Sequence, residues 1–261
     1  MSAALPPPSP GPVPFGRGLW AVLLRDIKRY LADRLRVVTN LVQPLLYLFV
    51  LGSGIGASSR MAGGYLPYIF PGVVAMSLLF TATFSGIGIV FDREYGFLKA
   101  VLVAPVTRRE IALAKVLSGA LQGLMQGLLL LCFAPLAGLR PGFGQVVGML
   151  AGMILAALVF SAMGVAIATR FKSAEVFPVI MNAVLLPMFF LSGALYPLDA
   201  APTWLAMLAY LDPVAYGVDL MRGAMLGKLH FNPLLSLSVM SGAFVVLTWL
   251  SVRAFEQGEE V

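Results

Sequence analysis

Residues 141–169 read PGFGQVVGMLAGMILAALVFSAMGVAIAT, a stretch without a single Asp, Glu, Lys or Arg. Within it, Met153–Phe160 is apolar at every consecutive position. A membrane β-strand would alternate apolar and polar residues over about 10 positions, so the stretch reads as helix. At about 1.5 Å per residue, some 20 residues cross the roughly 30 Å of bilayer hydrocarbon, and this window is longer than that. Five more charge-free windows lie around it, at 37–59, 61–91, 116–139, 176–198 and, taking His230 as a boundary, 231–252. A charge at a span centre costs about 2.5–3.5 kcal/mol on insertion scales, which accounts for its absence from all six. The expected fold is an all-α integral membrane protein with six transmembrane helices.

Composition points the same way. Of 261 residues, 59% are hydrophobic and 11% charged, against about 25% charged in a soluble domain. A soluble enzyme, a disordered regulator and a disulfide scaffold are excluded, the last also because Cys132 is the only cysteine. The net charge of +6 is a topology signal. With a cytoplasmic amino terminus, 14 of the 18 Lys and Arg residues fall on the inner side, and Arg60, Arg140, Arg222 and Lys228 remain outside. That bias follows the positive-inside rule. Both termini are expected in the cytoplasm, the chain in the inner (cytoplasmic) membrane, and nucleic acid is excluded as a partner. Met1–Pro14 has no basic region followed by an apolar core, so it is not a signal peptide; residues 1–16 read as a disordered Pro-rich tail.

Three segments between the windows carry information. In 17–36, Trp20, Leu23, Leu24, Ile27, Tyr30, Leu31 and Leu35 recur at helical spacing, and Arg25, Lys28, Arg29, Asp33 and Arg36 take the other side. This is a basic amphipathic helix suited to the inner headgroup plane. The inner loop Asp92–Glu110 displays Phe97, Leu98, Val101, Leu102 and Val103, apolar residues that suit docking to another protein. Gly96 can bend the chain after the second span, and Pro105 ends a short helix at about 97–104. Thr107 and Glu110 then have the capping-box spacing for the third span. On the outer side, 197–230 contains two short apolar pieces, Ala200–Leu211 and Val214–Leu226. Both are too short to cross, and the expectation is a re-entrant pair with Asp219 and Arg222 paired at i, i+3.

Gly119, Gly123 and Gly127 share one face of the third window, as do Gly144, Gly148 and Gly152 of the fourth, which allows close helix packing within or between subunits. Gln122 and Gln126, one turn apart, and Asn182 are either interhelical glue or part of a cargo path. Pro178 and Pro187 predict a kinked or broken fifth span.

Taken in order, several motifs resemble those of a known family. Asp92-Arg93-Glu94-Tyr95-Gly96 is followed by Ala104-Pro105-Val106-Thr107-Arg108. Phe190-Leu191-Ser192-Gly193-Ala194-Leu195-Tyr196-Pro197 is followed by Asp212-Pro213-Val214-Ala215-Tyr216 and then Arg222. The chain resembles the membrane subunit of type-2 ABC exporters, which include daunorubicin-resistance-like drug exporters and lipid or polysaccharide exporters; Val214 departs slightly, a bulkier residue being usual there. The resemblance implies that Glu94, Gly96, Phe97, Leu98, Val101, Leu102, Pro105 and Arg108 couple to a separate ATPase, beside an interface helix carrying Arg25, Lys28 and Arg29. It further implies an outer gate of Ser192, Gly193, Tyr196, Pro197, Pro213, Tyr216, Asp219 and Arg222. The expected assembly is two ABC ATPase subunits with two permeases, a homodimer or a pair of close homologues, in contact with membrane lipid. ATP and Mg are expected on the ATPase, and no cofactor or metal on this chain. Gly223–Leu229, the nearest approach to a phosphate-binding loop, is one residue short and ends in Leu229.

Other functions fit less well. A serine protease needs a base within reach of Ser192, and the only histidine, His230, is at the wrong depth; His230 and Cys132 make no metal centre. The alternative transport reading is an ion-coupled secondary transporter or channel, but none of the windows contains an ionisable group. The expected function is ATP-driven export of an amphipathic or lipid-linked cargo (a drug, lipid, glycolipid or polysaccharide) by alternating access.

Overall fold

The computed structural model describes residues 16–58, 64–95, 107–171 and 173–257. Its elements are α1 (Arg17–Ala32), α2 (Arg34–Leu46), a π-helical segment Tyr47–Leu51, α3 (Gly52–Ser58), α4 (Tyr65–Phe84) and α5 (Ile87–Glu94). They continue with α6 (Arg108–Leu131), α7 (Phe143–Ala168), α8 (Val176–Leu191), α9 (Thr203–Ala209), α10 (Pro213–Leu226) and α11 (Pro233–Gln257). Five helical stretches are long and apolar enough to cross a membrane: 34–57, 65–94, 108–131, 143–168 and 233–257. The remaining window, the fifth at 176–198, holds α8, an apolar helix of 16 residues that extends about 24 Å.

The chain's own chemistry sets the helix ends. Thr107 caps α6: its backbone N–H donates to Glu110 Oε2 at 2.9 Å while its hydroxyl accepts from the Glu110 N–H. The second Glu110 oxygen accepts from the Gly16 N–H at 2.7 Å, so one carboxylate fixes the starts of both α1 and α6. Asp33 ends α1 and caps α2, accepting from the Arg36 N–H at 3.0 Å. The amphipathic segment expected over 17–36 therefore divides at residue 33. Asp212 caps α10 through the Val214 N–H at 2.9 Å, and Gly227, at φ 68°, closes it in the left-handed conformation that favours glycine.

The centre of the bundle is α4, α6, α7 and α10. Phe70 and Phe160 are fully buried there, as are Phe177 and Phe189 on α8. Small residues permit the close approach. A Cβ on Gly119 would overlap the Ser85 and Ser161 hydroxyls, and one on Gly127 would lie 2.6 Å from Met153 Cε. On α7, Gly148 and Gly152 face Ala224 and Met221 of α10, whereas Gly144 meets nothing within 4 Å. Apart from Gly144, both glycine rows thus serve packing within this chain. Hydroxyls add cross-helix bonds: Thr83 to the Phe160 carbonyl at 3.1 Å, Ser161 to Val116 at 2.7 Å and Ser251 to Ala162 at 3.1 Å, each worth about 0.6 kcal/mol in a membrane bundle.

Three features differ from expectation. Of the two alternatives for the fifth span, kinked or broken, the break does not occur: α8 runs continuously through Pro178 and Pro187, Pro178 falling in the first turn, where no intrahelical bond is lost, and Pro187 inside the helix. The irregularity lies instead in the first span, where Pro44 lacks the N–H that would reach Asn40 and the chain widens into the Tyr47–Leu51 π-segment. Third, the Asp219–Arg222 ion pair does not form among the described residues; both side chains turn to backbone groups, as described below. The short helix expected at 97–104 and the tail 1–15 lie outside the described residues.

Candidate functional site

Three polar constructions interrupt the apolar bundle. The first is at its basic end, where α1, α5 and α6 meet. Lys115 Nζ lies 3.0 Å from Asp26 Oδ2 and 2.9 Å from Asp92 Oδ2, and Arg25 contacts Asp26 at 2.9 Å and Asp92 at 3.2 Å. The Lys115, Asp26 and Asp92 side chains are about one-tenth exposed. Burial lowers the Arg25 pKa, but the two carboxylates more than offset this and hold it above its ordinary value. Two cations and two anions thus lock the amphipathic helix to the end of α5, two residues before Glu94. Glu94 accepts from the Ala174 N–H at 3.1 Å, and Arg93 donates to the Thr169 and Phe171 carbonyls at 3.2 Å. The start of α6 is tied to the end of α11 as well, Arg108 donating to the Glu256 carbonyl at 3.2 Å. Of the expected interface residues, Arg25 is inside this lock, while Lys28 and Arg29 stay exposed. Val22, Leu23 and Tyr30 pack inward, leaving Trp20, Leu24 and Leu31 on the outer face. Gly96, Phe97, Leu98, Val101, Leu102 and Pro105 lie outside the described residues.

The second construction is a cavity of about 270 Å³ between α2, α4 and α8. Arg36, Asn40, Gln43, Ser77, Thr81 and Asn182 supply its polar wall, and Phe80 and Phe84, stacked at 6.2 Å and 11°, part of its apolar wall. The Ser77 hydroxyl is buried with no hydrogen-bond partner, a deficit of about 1–3 kcal/mol for such a group. Asn182 thus lies on the cavity, but the two glutamines expected to share a path with it do not. Gln126 is fully buried, accepting from the Tyr30 hydroxyl at 2.9 Å and donating to the Val37 carbonyl at 3.4 Å. It fastens α1 and α2 to α6. Gln122 is buried one turn away beside a separate cleft lined by Asp26, Arg29 and Lys115.

The third construction is at the opposite end. Arg222, 5% exposed, donates to the Gly193 and Ala194 carbonyls at 2.9 and 3.1 Å and lies 4.2 Å over the Tyr68 ring. Gly193, at φ 71°, makes the turn after α8, and a Cβ there would strike Leu198. Asp219 accepts from the His230 and Phe231 N–H groups at 2.7 and 3.2 Å. Instead of bonding to each other, the two charges bind α10 to the turns on either side of it. The Ser192 hydroxyl bonds to Phe189 at 2.7 Å, Tyr196 to Phe190 at 2.8 Å and Tyr216 to Tyr210 at 2.8 Å; Pro213 is the first residue of α10 and Pro197 lines the adjoining cavity. His230 Nδ1 is 2.6 Å from Asp199. The carboxylates of the basic-end lock and the His230–Asp199 contact had no local signal in the sequence, because the partners are far apart along the chain.

Long apolar helices around a polar cavity, with buried charge confined to the two ends, define a multi-pass membrane protein of the transport class. The chain belongs to the ABC-2 type transporter family, whose model matches residues 17–226; it is a transport membrane subunit of the type-2 ABC permease kind, a class that associates with an ATPase subunit. Among curated relatives, it is 28% identical over 214 residues to nodulation protein J of Rhizobium leguminosarum bv. viciae, covering 80% of this chain and 82% of that protein. It is 27% identical over 246 residues to nodulation protein J of Bradyrhizobium diazoefficiens, covering 91% and 93%. The putative transport permease ycf38 of Cyanophora paradoxa is 25% identical over 192 residues, covering 71% and 66%.

Proposed function

We propose that this chain is the membrane-spanning subunit of an ATP-driven exporter, working with two copies of a separate ATPase and a second copy of itself or a close homologue. Six spans cross the inner (cytoplasmic) membrane, α8 being short for its task but flanked by residues that can make up the difference. Both termini are cytoplasmic, because 14 of 18 Lys and Arg residues then fall inside. ATP and Mg bind the partner ATPase. The segment 97–104 is the coupling element that docks on that partner, and α9 with α10 forms a re-entrant outer gate.

The observation that carries this reading is the row of polar side chains that Asn40 and Gln43 on α2 and Asn182 on α8 leave uncovered along the cavity. Unpartnered amides facing hydrocarbon cost several kcal/mol each. A second copy or a water-filled passage must therefore cover them, and a passage between two copies meets both demands. Closure of the ATPase pair moves the coupling element, the lock carries that displacement into α1, α5 and α6, and the passage opens alternately inward and outward for an amphipathic or lipid-linked cargo.

The test is co-expression with a candidate partner ABC ATPase from the same genome. Leu98→Asp or Leu102→Asp should abolish ATP-dependent export and co-purification while leaving membrane insertion intact. In a Cys132→Ser background, Asn182→Cys should cross-link two copies. Undiminished export and co-purification after the Asp substitutions would defeat the coupling assignment.

A further inference from the structure

We infer that the cleft at the junction of α1 and α2 binds the phosphodiester of an anionic phospholipid from the inner leaflet, one whose head group carries no cation. The inference goes beyond the exporter reading and shares with it only the placement of the basic end at the cytoplasmic surface.

Two arginines flank the junction, Arg29 in the last turn of α1 and Arg36 in the first turn of α2, and both line a cleft of about 60 Å³. Neither forms an ion pair or a side-chain hydrogen bond among the described residues. The other charges on this wall, Asp26 and Lys115, belong to the basic-end lock, whose two cations and two anions cancel. The arginines therefore leave the cleft with two uncompensated positive charges. Gln122 lines the same cleft at 6% exposure, and its amide has no hydrogen bond among the described residues. A buried amide left unpaired is costly. A phosphate oxygen seated between the two guanidinium forks would accept from its N–H group and satisfy it.

The membrane is the source that fits. Arg36 lies near the start of the candidate span 34–57, at head-group depth once that span crosses. Beside it Leu31, Leu35 and Val38 are 54%, 75% and 58% exposed, an apolar rim suited to acyl chains. Basic side chains at such a junction attract anionic lipid, and the guanidinium fork matches phosphate oxygens. The cleft is far below the roughly 300 Å³ of a site that encloses a whole ligand, so it takes the phosphate alone. A second space of about 230 Å³ adjoins it through Arg29 and Phe91, with room for an uncharged glycerol head. An ammonium head on the same phosphate would meet Arg25 and Arg29 there, and Asp92, the one carboxylate on that wall among the described residues, is already shared by Lys115 and Arg25. Repulsion thus discriminates against it.

The experiment uses the full chain, delipidated in detergent without nucleotide or cargo, so its failure leaves the exporter reading standing. Phosphatidylglycerol or phosphatidylcholine is titrated in, and bound lipid is counted by native mass spectrometry. Phosphatidylglycerol should bind at least about tenfold more tightly, one decade in Kd. Arg29→Gln with Arg36→Gln should erase that preference, and Gln122→Leu should weaken it about threefold or more, with phosphatidylcholine binding unchanged in both. Arg17→Gln with Arg34→Gln removes as much charge from the same two helices but off the cleft wall. It should alter the preference less than about twofold, whereas diffuse surface attraction would fall equally with either pair. In the wild-type chain, where no folding defect enters, a phosphatidylglycerol analogue with a diazirine in its head should label residues 25–36 or 85–91, read by peptide mapping. Equal binding of the two lipids, equal losses from the two arginine pairs, or labelling confined to other segments would overturn the proposal. Full competition by free glycerol 3-phosphate would also overturn it, making the ligand a soluble anion. So would loss of labelling on adding the ATPase, which would give the cleft to an acidic segment of that partner.

Discussion

Replacing Lys115 by Met removes the central cation of the basic-end lock while keeping the length of the side chain. Asp26 and Asp92, 11% and 8% exposed, lose contacts of 3.0 and 2.9 Å. Breaking one partner out of a buried ionic group costs about 3–5 kcal/mol. Arg25 still reaches both carboxylates and is 34% exposed, so the lower end, about 3 kcal/mol, is expected. At roughly 2–4 °C per kcal/mol for a chain of this size, the midpoint of thermal unfolding falls by about 6–12 °C. The assay is fluorescence-detected size-exclusion chromatography of the heated complex, run as a double-mutant cycle. Asp26→Asn alone should also destabilise, and Lys115→Met with Asp26→Asn should cost less than the two singles added, because the double variant leaves one fewer uncompensated charge. A loss below about 0.5 kcal/mol for Lys115→Met, or strict additivity in the cycle, would refute the lock.

Gly119→Val should destabilise by about 1–3 kcal/mol through overpacking against Ser85 and Ser161, whereas Gly144→Val, with nothing within 4 Å, should change the unfolding midpoint little. Tyr30→Phe and Gln126→Leu remove the same buried bond, so each should cost about 1 kcal/mol and their combination less than the sum in the same heating assay. Arg222→Lys keeps the charge but loses the fork that reaches two carbonyls and the flat contact with Tyr68. It should reduce ATP-dependent export in vesicles while the subunit still inserts and co-purifies.

The helical membrane architecture was legible because lipid imposes a rule on every residue of a span. The windows 61–91, 116–139 and 141–169 each contain most of a helix that the structure places in the bundle. The Thr107–Glu110 cap was equally legible, since its partners are three residues apart. What the sequence hid depends on distant neighbours. Asp26, Asp92 and Lys115 are ordinary residues until the fold brings three helices together. Asp219 and Arg222 have the spacing of an ion pair, yet each finds backbone groups in the adjoining turns, and those bonds satisfy otherwise orphaned peptide groups. Gln126 and Asn182 are both polar residues inside apolar windows, and spacing alone does not tell helix glue from cavity lining. Pro44, Pro178 and Pro187 are alike in sequence, each a proline inside an apolar window, and only the fold shows that the first precedes a π-helical segment while Pro178 sits harmlessly in a first turn.

The most direct test of the division of labour between a passive conduit and a separate motor is transport in sealed proteoliposomes containing this chain alone or with its ATPase. The chain alone should neither hydrolyse ATP nor accumulate an amphiphilic glycoside, and adding the ATPase with ATP and Mg should start both. Uphill transport by the chain without any ATPase would contradict the assignment.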